Sequence, residues 1–262
     1  MRAFLTAAPG GPAQRLAYSK DAVHPVRAYV AGMVAAYVIF SAILTGIGML
    51  LIHVLEHGYV GRWDHHVSQW FVVHRTTTWN RVSGVFTLMA DTFTVAGITV
   101  LVTIVLAVRR WGRRVWLFAT GLAVELSVFL TVNTIVARPR PLVPHVGGTP
   151  STFSFPSGHT AATVVLYGGL AAIVTTVTPR ALPRVVAWTL TLLLTIAVAL
   201  SRVYRGEHYP TDVIAGALLG VGALATAVFM IRVLSVDRST TLERGDQTSL
   251  DGRARELKSE NS

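Results

Sequence analysis

Residues 30–52 form an apolar run that contains no charged side chain. The hydrocarbon core of a bilayer is crossed by about 20 apolar helical residues, so this run is long enough to span a membrane. Five further apolar runs lie at about 82–108, 115–136, 160–178, 185–201 and 211–231. A backbone in lipid must satisfy its own hydrogen bonds, which favours helices. The sequence therefore predicts an all-α, polytopic membrane protein with six transmembrane helices.

The distribution of basic residues supports this layout. The chain has 23 Lys and Arg against 13 Asp and Glu, for a net charge of +10. With a cytoplasmic N-terminus, sixteen of the 23 basic residues fall in segments predicted to lie inside and seven in segments predicted outside. Such an excess is the usual positive-inside bias. No basic stripe with interleaved aromatic residues remains, so we expect a bilayer rather than a nucleic acid as partner.

Composition divides the chain into three parts. Residues 1–29 are predicted to be a cytoplasmic N-terminal tail, and residues 30–234 the six-helix membrane domain. Residues 235–262 are polar and lack periodicity, which predicts a disordered cytoplasmic tail. The chain has no cysteine, which excludes disulfides and thiolate metal sites.

Residues 53–81 are predicted to form an outside loop with a short helix lying in the membrane interface. One helical face of this loop is aromatic and apolar, formed by Trp63, Val67, Trp70 and Phe71. Five of the nine histidines also lie here. His53, Glu56 and His57 fit the H-x-x-E-H pattern of one zinc-peptidase class, but a third protein ligand is not evident. We therefore expect no metal site.

Three polar clusters interrupt the apolar sequence, all at the predicted outer ends of spans. They are Ala137–Pro141, Phe155–His159 and the stretch from Ser201 to Asp212. Scattered polar residues would not be expected to gather on one side of a membrane. The clusters therefore indicate a single site at the outer membrane–water boundary.

The residue types in these clusters suit a phosphate group. Ser157 is predicted to be the N-cap of the fourth span, whose free N–H groups and dipole favour an anion. Arg140 and Arg202 offer planar forks that match phosphate oxygens. His208 and Asp212 are four residues apart, so the carboxylate can fix one ring nitrogen of the histidine. Together with a second histidine, this set predicts phosphoryl transfer.

The order of these motifs resembles the type 2 phosphatidic acid phosphatase family. The matching residues are Arg140-Pro141, then Pro156-Ser157-Gly158-His159, then Ser201-Arg202, five residues, His208, three residues and Asp212. This resemblance covers about residues 133–212. It implies hydrolysis of a lipid phosphate or diphosphate through a phosphohistidine intermediate, without a metal or other cofactor.

The resemblance also implies a role for each residue. His208 would attack phosphorus, oriented by Asp212. His159 would protonate the leaving oxygen and later activate water. The phosphate oxygens would be held by Arg140, Arg202, Ser157 and Gly158.

One position departs from the family pattern. The first motif usually starts with Lys, but Asn133 stands at that position here. Asn133 is therefore expected to hydrogen-bond the phosphate without supplying charge, with Arg138 or Arg205 as auxiliary cations. Glu125, inside the third span, is a further auxiliary candidate, because acids in a bilayer are costly and often functional.

Location and resemblance together suggest a substrate class. A site on the outer side of a bacterial plasma membrane favours recycling of carrier lipids, with undecaprenyl diphosphate as the first candidate and phosphatidylglycerophosphate and phosphatidate next. The alternatives are a catalytically silent relative that binds or transports a lipid phosphate, and a zinc membrane peptidase. Vanadium haloperoxidases share these motifs, but six spans argue against that reading. Nothing in the sequence predicts the oligomeric state.

Overall fold

The computed structural model describes residues 2–8, 10–17, 25–148 and 151–236. All regular elements in these ranges are helical. After a 3₁₀ turn at Arg2–Leu5, they are α1 (Pro12–Ala17), α2 (Pro25–Leu50), α3 (Tyr59–Val73), α4 (Thr77–Met89), α5 (Thr92–Val108), α6 (Gly112–Val136), α7 (Gly158–Val177), α8 (Ala181–Tyr204) and α9 (Pro210–Leu234). The predicted tail at 235–262 lies outside the described residues except for its first two, as does part of the predicted N-terminal tail.

Five helices are long and apolar enough to cross a membrane: α2, α6, α7, α8 and α9. A π-helical turn at Leu51–Leu55 extends α2. Helices α4 and α5 together make the sixth candidate span, although they meet at an angle of 43°. The all-α prediction is thus confirmed, and the span count is six when this bent pair is taken as one.

The predicted span over about 82–108 is formed by two helices rather than one. The helix breaks at Ala90 and Asp91, and α5 begins anew at Thr92. The Asp91 carboxylate accepts a hydrogen bond from the backbone N–H of Phe93 at 3.0 Å, so it caps the second helix. A capped helix start inside an apolar run satisfies free N–H groups that would otherwise face lipid.

Helix α9 is the central element of the bundle. It packs against α6, α7 and α2, while α8 packs on α7 and α4. A valine row on α6, formed by Val124, Val128 and Val132, is fully buried against Leu219 and Ala223 of α9. In contrast, α2 and α8 expose much of their apolar surface, as expected for helices that face lipid.

Two glycines allow α9 to approach α7 closely. A Cβ atom on Gly216 would lie 2.3 Å from the carbonyl oxygen of Ser157, and one on Gly220 would lie 2.7 Å from that of Ala161. Small residues at such crossings are typical of membrane helices. The backbone at the start of α7, which belongs to the predicted site, is therefore held directly against α9.

Helix α3 occupies the predicted loop between the first two spans. Trp63 and Trp70 are exposed, whereas Asp64 and Ser68 are buried. This arrangement is the reverse of that in a helix of a water-soluble protein. An exposed aromatic face suits the predicted position in the membrane interface, while Asp64 and Ser68 pack on the rest of the protein.

Replacing Gly216 with alanine should destabilise the protein and lower its activity. The added Cβ must displace the Ser157 carbonyl, and overpacking of this kind costs about 1–3 kcal/mol. The control is Gly46→Ala in α2, where a Cβ meets nothing within 4 Å. Thermal unfolding in detergent should show a lower midpoint for Gly216→Ala only, and equal midpoints for both variants would contradict the proposed contact.

Candidate functional site

The three polar clusters meet at one end of the bundle. The loop after α6, the start of α7 and the connection from α8 to α9 together border a cavity of about 490 Å³. Its polar wall consists of Arg140, Thr152, His159, Arg202 and His208. Its remaining walls are mostly apolar side chains of α5, α6 and α7, among them Val95, Ala96, Leu122, Leu126, Phe129 and Ala162. The cavity thus joins a cationic end to an apolar compartment.

His208 is buried and has a fixed orientation. Its Nδ1 atom lies 2.6 Å from the carbonyl oxygen of Ser154 and 3.8 Å from Oδ2 of Asp212. Since a carbonyl only accepts, Nδ1 carries the proton and Nε2 has the free lone pair. Burial lowers the pKa of His208, although Asp212 partly opposes this effect. The ring is therefore neutral, as a nitrogen nucleophile requires.

Asp212 contacts several groups besides His208. It lies in the first turn of α9, where Oδ2 accepts a hydrogen bond from the N–H of Tyr209 at 2.8 Å. Its Oδ1 accepts from Arg138 at 2.7 Å. The expected pairing of Asp212 with His208 is thus a longer electrostatic contact. The closer partner of the His208 ring is the carbonyl of Ser154, which was not predicted from the sequence.

Arg140 keeps its charge without a carboxylate contact. Its guanidinium donates to backbone oxygens of Thr152 at 2.9 Å and Glu207 at 2.5 Å, and to the Thr152 hydroxyl at 3.0 Å. Burial lowers the pKa of Arg140, opposed by the negative charges of Glu207 and Asp212. These neutral partners fix the fork in place and leave its positive charge available to an anion.

Arg202 is paired on one side and free on the other. Its Nη2 atom donates to the carboxylate of buried Glu207. Its Nε atom is buried without a hydrogen-bond partner among the described residues. Because Arg202 also lines the cavity, this unpaired donor marks a place for a ligand oxygen. Glu207 was not identified from the sequence, although it directly precedes His208.

The start of α7 forms the predicted helix cap. The hydroxyl of Ser157 is buried, lies 3.0 Å from that of Thr160, and accepts from the Thr160 N–H at 3.5 Å. Gly158 and His159 line the cavity, whereas Ser157 does not. A Cβ on Gly158 would lie 3.0 Å from the ring of Phe129, so glycine permits this close packing. Ser157 acts here by shaping the turn.

Two predicted phosphate-site residues have other partners in the structure. The side chain of Asn133 donates to the carbonyls of Phe153 and Phe155 at 2.9 and 3.0 Å, and accepts from the Phe153 N–H at 3.2 Å. It therefore holds the loop segment beside the cavity. Arg205 donates to Glu207 at 3.3 Å and is not among the residues that line the cavity.

Arg138 lies in a buried cluster of carboxylates, away from the cavity. It is 2% exposed, and its guanidinium contacts Asp212 at 2.7 Å, Asp64 at 2.9 Å and Glu56 at 3.1 Å. Burial alone would lower the pKa of Arg138, but Asp212 and Asp64 outweigh it and raise the pKa. Arg138 was expected to be an auxiliary cation at the phosphate, but in the structure it holds Asp212 instead.

Asp64 connects helix α3 to this cluster and was missed by the sequence analysis. It is fully buried and accepts hydrogen bonds from Arg138 and from both the N–H and the hydroxyl of Thr211. Burial raises the pKa of Asp64, while the bonds from Thr211 and Arg138 oppose that rise. Asp64 is one of two acids in the predicted loop 53–81, the other being Glu56, and neither gave a sequence signal for a buried ion pair.

The glutamate of the H-x-x-E-H segment has a structural role. Glu56 contacts Arg138 and lies 2.9 Å from Nε2 of His65. Among the described residues, no group of three or more His, Asp or Glu side chains is arranged to hold a metal ion. Glu56 therefore takes part in the Arg138 cluster.

The fold and site define a helical membrane protein with a cavity whose polar wall is lined by histidine and arginine. The sequence profile of the PAP2 superfamily matches residues 114–235, which contain every residue of the cavity's polar wall. The chain belongs to this superfamily.

Relatives and a solved structure agree with this assignment. A decaprenylphosphoryl-5-phosphoribose phosphatase of Mycobacterium tuberculosis is 34% identical over 44% of this chain, and the match spans 62% of that protein. A provisionally named undecaprenyl-diphosphatase of Escherichia coli is 30% identical over 50% of this chain and 67% of its own length. The transmembrane PAP2-type phosphatidylglycerolphosphate phosphatase of Bacillus subtilis superimposes with a TM-score of 0.63, covering 79% of this chain and 98% of its own, at 22% identity. That likeness shows a shared fold.

Replacing Asp64 with asparagine should destabilise the protein by about 3 kcal/mol, because it leaves part of a buried charge cluster uncompensated. The matched control is Glu56→Gln, whose carboxylate is 26% exposed and whose loss should cost less than about 1 kcal/mol. Thermal unfolding of the two variants in detergent measures the difference. A larger loss for Glu56→Gln than for Asp64→Asn would contradict the assignment of Asp64.

Proposed function

We propose that the protein is a lipid phosphatase that hydrolyses a phosphate or diphosphate ester through a phosphohistidine intermediate. The observation that carries this proposal is the cavity, where two arginines and two histidines converge at one end of an otherwise apolar compartment. Such a compartment suits a ligand with an anionic head and a hydrocarbon tail. The names of the PAP2 relatives, which describe phosphatases of prenyl lipids, support the same class.

The shape of the cavity suggests how a membrane lipid reaches the site. Val100 of α5 and Leu126 of α6 line it, and both are more than half exposed on the outside of the bundle. We therefore propose that a lipid enters from the lipid-facing surface through a gap between α5 and α6. A tail can remain in the bilayer at this gap while the head group occupies the polar end.

The first chemical step is attack on phosphorus by Nε2 of His208. Arg140, the free Nε of Arg202 and the first-turn N–H groups of α7 bind the phosphate oxygens, where charge accumulates in the transition state. The N–P bond forms as the bond from phosphorus to the lipid oxygen breaks. His159 gives the leaving oxygen its proton, so that the lipid departs neutral at that oxygen.

The second step hydrolyses the phosphohistidine. His159, now without its proton, takes one from water, and the resulting hydroxide attacks phosphorus. The N–P bond breaks, inorganic phosphate is released, and His208 returns to its neutral form with Nδ1–H still bonded to Ser154. Every proton and charge in this cycle is carried by side chains of the chain and by water, so we propose that it needs no metal ion.

We further propose that the site faces the outer side of a bacterial plasma membrane. The positive-inside distribution of Lys and Arg supports this orientation. Undecaprenyl diphosphate, phosphatidylglycerophosphate and phosphatidate are the candidate substrates. The residues around the phosphate do not distinguish among them, since each presents the same terminal phosphate group.

A lipid-phosphate binder without turnover is the second candidate function. It is favoured by the fact that Asn133 supplies no cation and that Glu207 neutralises part of the Arg202 charge. Both features weaken the electrostatic stabilisation expected at a phosphoryl transition state. A binder would retain the lipid phosphate but release no inorganic phosphate.

The proposal is tested by measuring phosphate release from each of the three lipids in detergent with excess EDTA. The wild-type protein should release phosphate from at least one, and His208→Ala should lower the rate at least a thousandfold, because the nucleophile is absent. His66→Ala, an exposed histidine outside the cavity, is the matched control and should keep full activity. Loss of wild-type activity in EDTA would contradict the metal-free mechanism, and phosphate binding without release would favour the binder.

A further inference from the structure

Two buried polar groups of the cavity, the Glu125 carboxyl and the Thr99 hydroxyl, have no part in the proposed mechanism. Glu125 of α6 lines the apolar compartment and is 4% exposed, and no described residue forms a hydrogen bond or ion pair with it. Thr99 of α5 lines the same compartment, and its buried hydroxyl has no hydrogen-bond partner in the described part of the chain. Both groups come from the two helices that flank the gap to the lipid-facing surface.

An apolar side chain would pack equally well at either position. A buried polar group without a partner costs free energy, and an acid at membrane depth costs more. Leucine and valine would fill the same space with lower cost, as they do at the neighbouring positions Leu122, Leu126 and Val100. Both side chains therefore have unmet hydrogen-bonding capacity beside a shared cavity, which is typical of a ligand subsite.

The depth of Glu125 relative to the phosphate site follows from the helix geometry. Phe129 lies one turn nearer the site on α6, and its ring packs on Gly158 at the start of α7. One helical turn of four residues advances about 6 Å, so Glu125 lies about 6 Å further along the compartment than the Gly158 level. If the substrate phosphate is held at the start of α7, a substrate group only a few bonds from the phosphorus lies beside Glu125.

We infer that Glu125 and Thr99 form a subsite for a hydroxyl group on the part of the substrate that links the scissile phosphate to the apolar tail. The inference rests on the proposed lipid-phosphate hydrolysis and names its substrate class. A hydroxyl can donate to the Glu125 carboxyl and accept from the Thr99 hydroxyl, which satisfies both side chains at once. The substrate is thus a phosphate monoester of a hydroxylated spacer, such as a glycerol or a sugar, attached to a lipid.

This subsite separates the candidate substrates. Phosphatidylglycerophosphate has a free hydroxyl on the glycerol between its terminal phosphate and its lipid phosphate. Undecaprenyl diphosphate has a second phosphate in the same place, whose oxygens bring no hydroxyl donor to the Glu125 carboxyl. A site with buried polar groups discriminates against a ligand that cannot pair with them. We therefore expect a preference for the hydroxylated lipid.

The test compares kcat/KM for phosphatidylglycerophosphate and undecaprenyl diphosphate in the same detergent. Glu125→Leu should lower kcat/KM about tenfold for the first lipid, since one hydrogen bond is lost there, and should not lower it for the second. Glu125→Gln keeps the ability to hydrogen-bond and should keep most of the preference. Thr99→Val should act in the same direction with a smaller change. Ser127→Ala on α6 is the control, because that hydroxyl bonds to the Val124 carbonyl and lies outside the cavity.

The outcomes separate this inference from the proposed function. If the wild type releases phosphate but Glu125→Leu changes both substrates equally, or neither, the subsite is wrong while the phosphatase assignment stands. Hydrolysis of undecaprenyl diphosphate alone would also overturn the subsite. If the wild type releases phosphate from no lipid, the proposed function fails and the subsite fails with it.

Discussion

Burial of Arg138 is the constraint on which the geometry of the site depends. A guanidinium removed from water needs carboxylates and complete hydrogen bonding, and here they come from three elements that each lie at least 74 residues from Arg138 in sequence. Asp64 lies on α3, Asp212 on α9, and Glu56 at the end of the π-helical extension of α2. Asp64 and Asp212 contribute most to this compensation, because both carboxylates are fully buried against Arg138. The same contacts hold the first turn of α9 beside the loop after α6, and that turn directly follows His208.

The cavity has two kinds of surface, and each would bind a different part of a lipid phosphate. At one end, Arg140 and Arg202 provide charge, and their neutral and acidic partners hold them in position. At the other, α5, α6 and α7 provide hydrocarbon walls that reach the lipid-facing surface. A water-soluble phosphate ester would use only the first surface. The proposed action on lipids therefore depends on helix packing as much as on the family motifs. The Glu125 subsite would add selectivity among lipid substrates.

Features with a local cause could be predicted from the sequence. Apolar runs predicted the helices, and the motifs placed Arg140, His159, Arg202 and His208, which all line one cavity. The break at Asp91 was missed because an apolar run hides a helix cap. Asp64, Ser154 and Glu207 were missed because their roles arise only from contacts between separate segments. Asp64 and its partner Arg138 are 74 residues apart, and neither has a local signal for a buried ion pair. For the same reason, Arg138 was expected at the phosphate and lies instead behind Asp212.

The central claim is that phosphate is transferred to His208, and trapping that intermediate tests it most directly. The protein would be mixed with a lipid substrate carrying a labelled terminal phosphate, quenched in alkali, where phosphohistidine survives, and digested for mass spectrometry. We expect a labelled peptide that carries the phosphate on His208 and that is absent in His208→Ala. Turnover without label on His208, or label on a different residue, would contradict it.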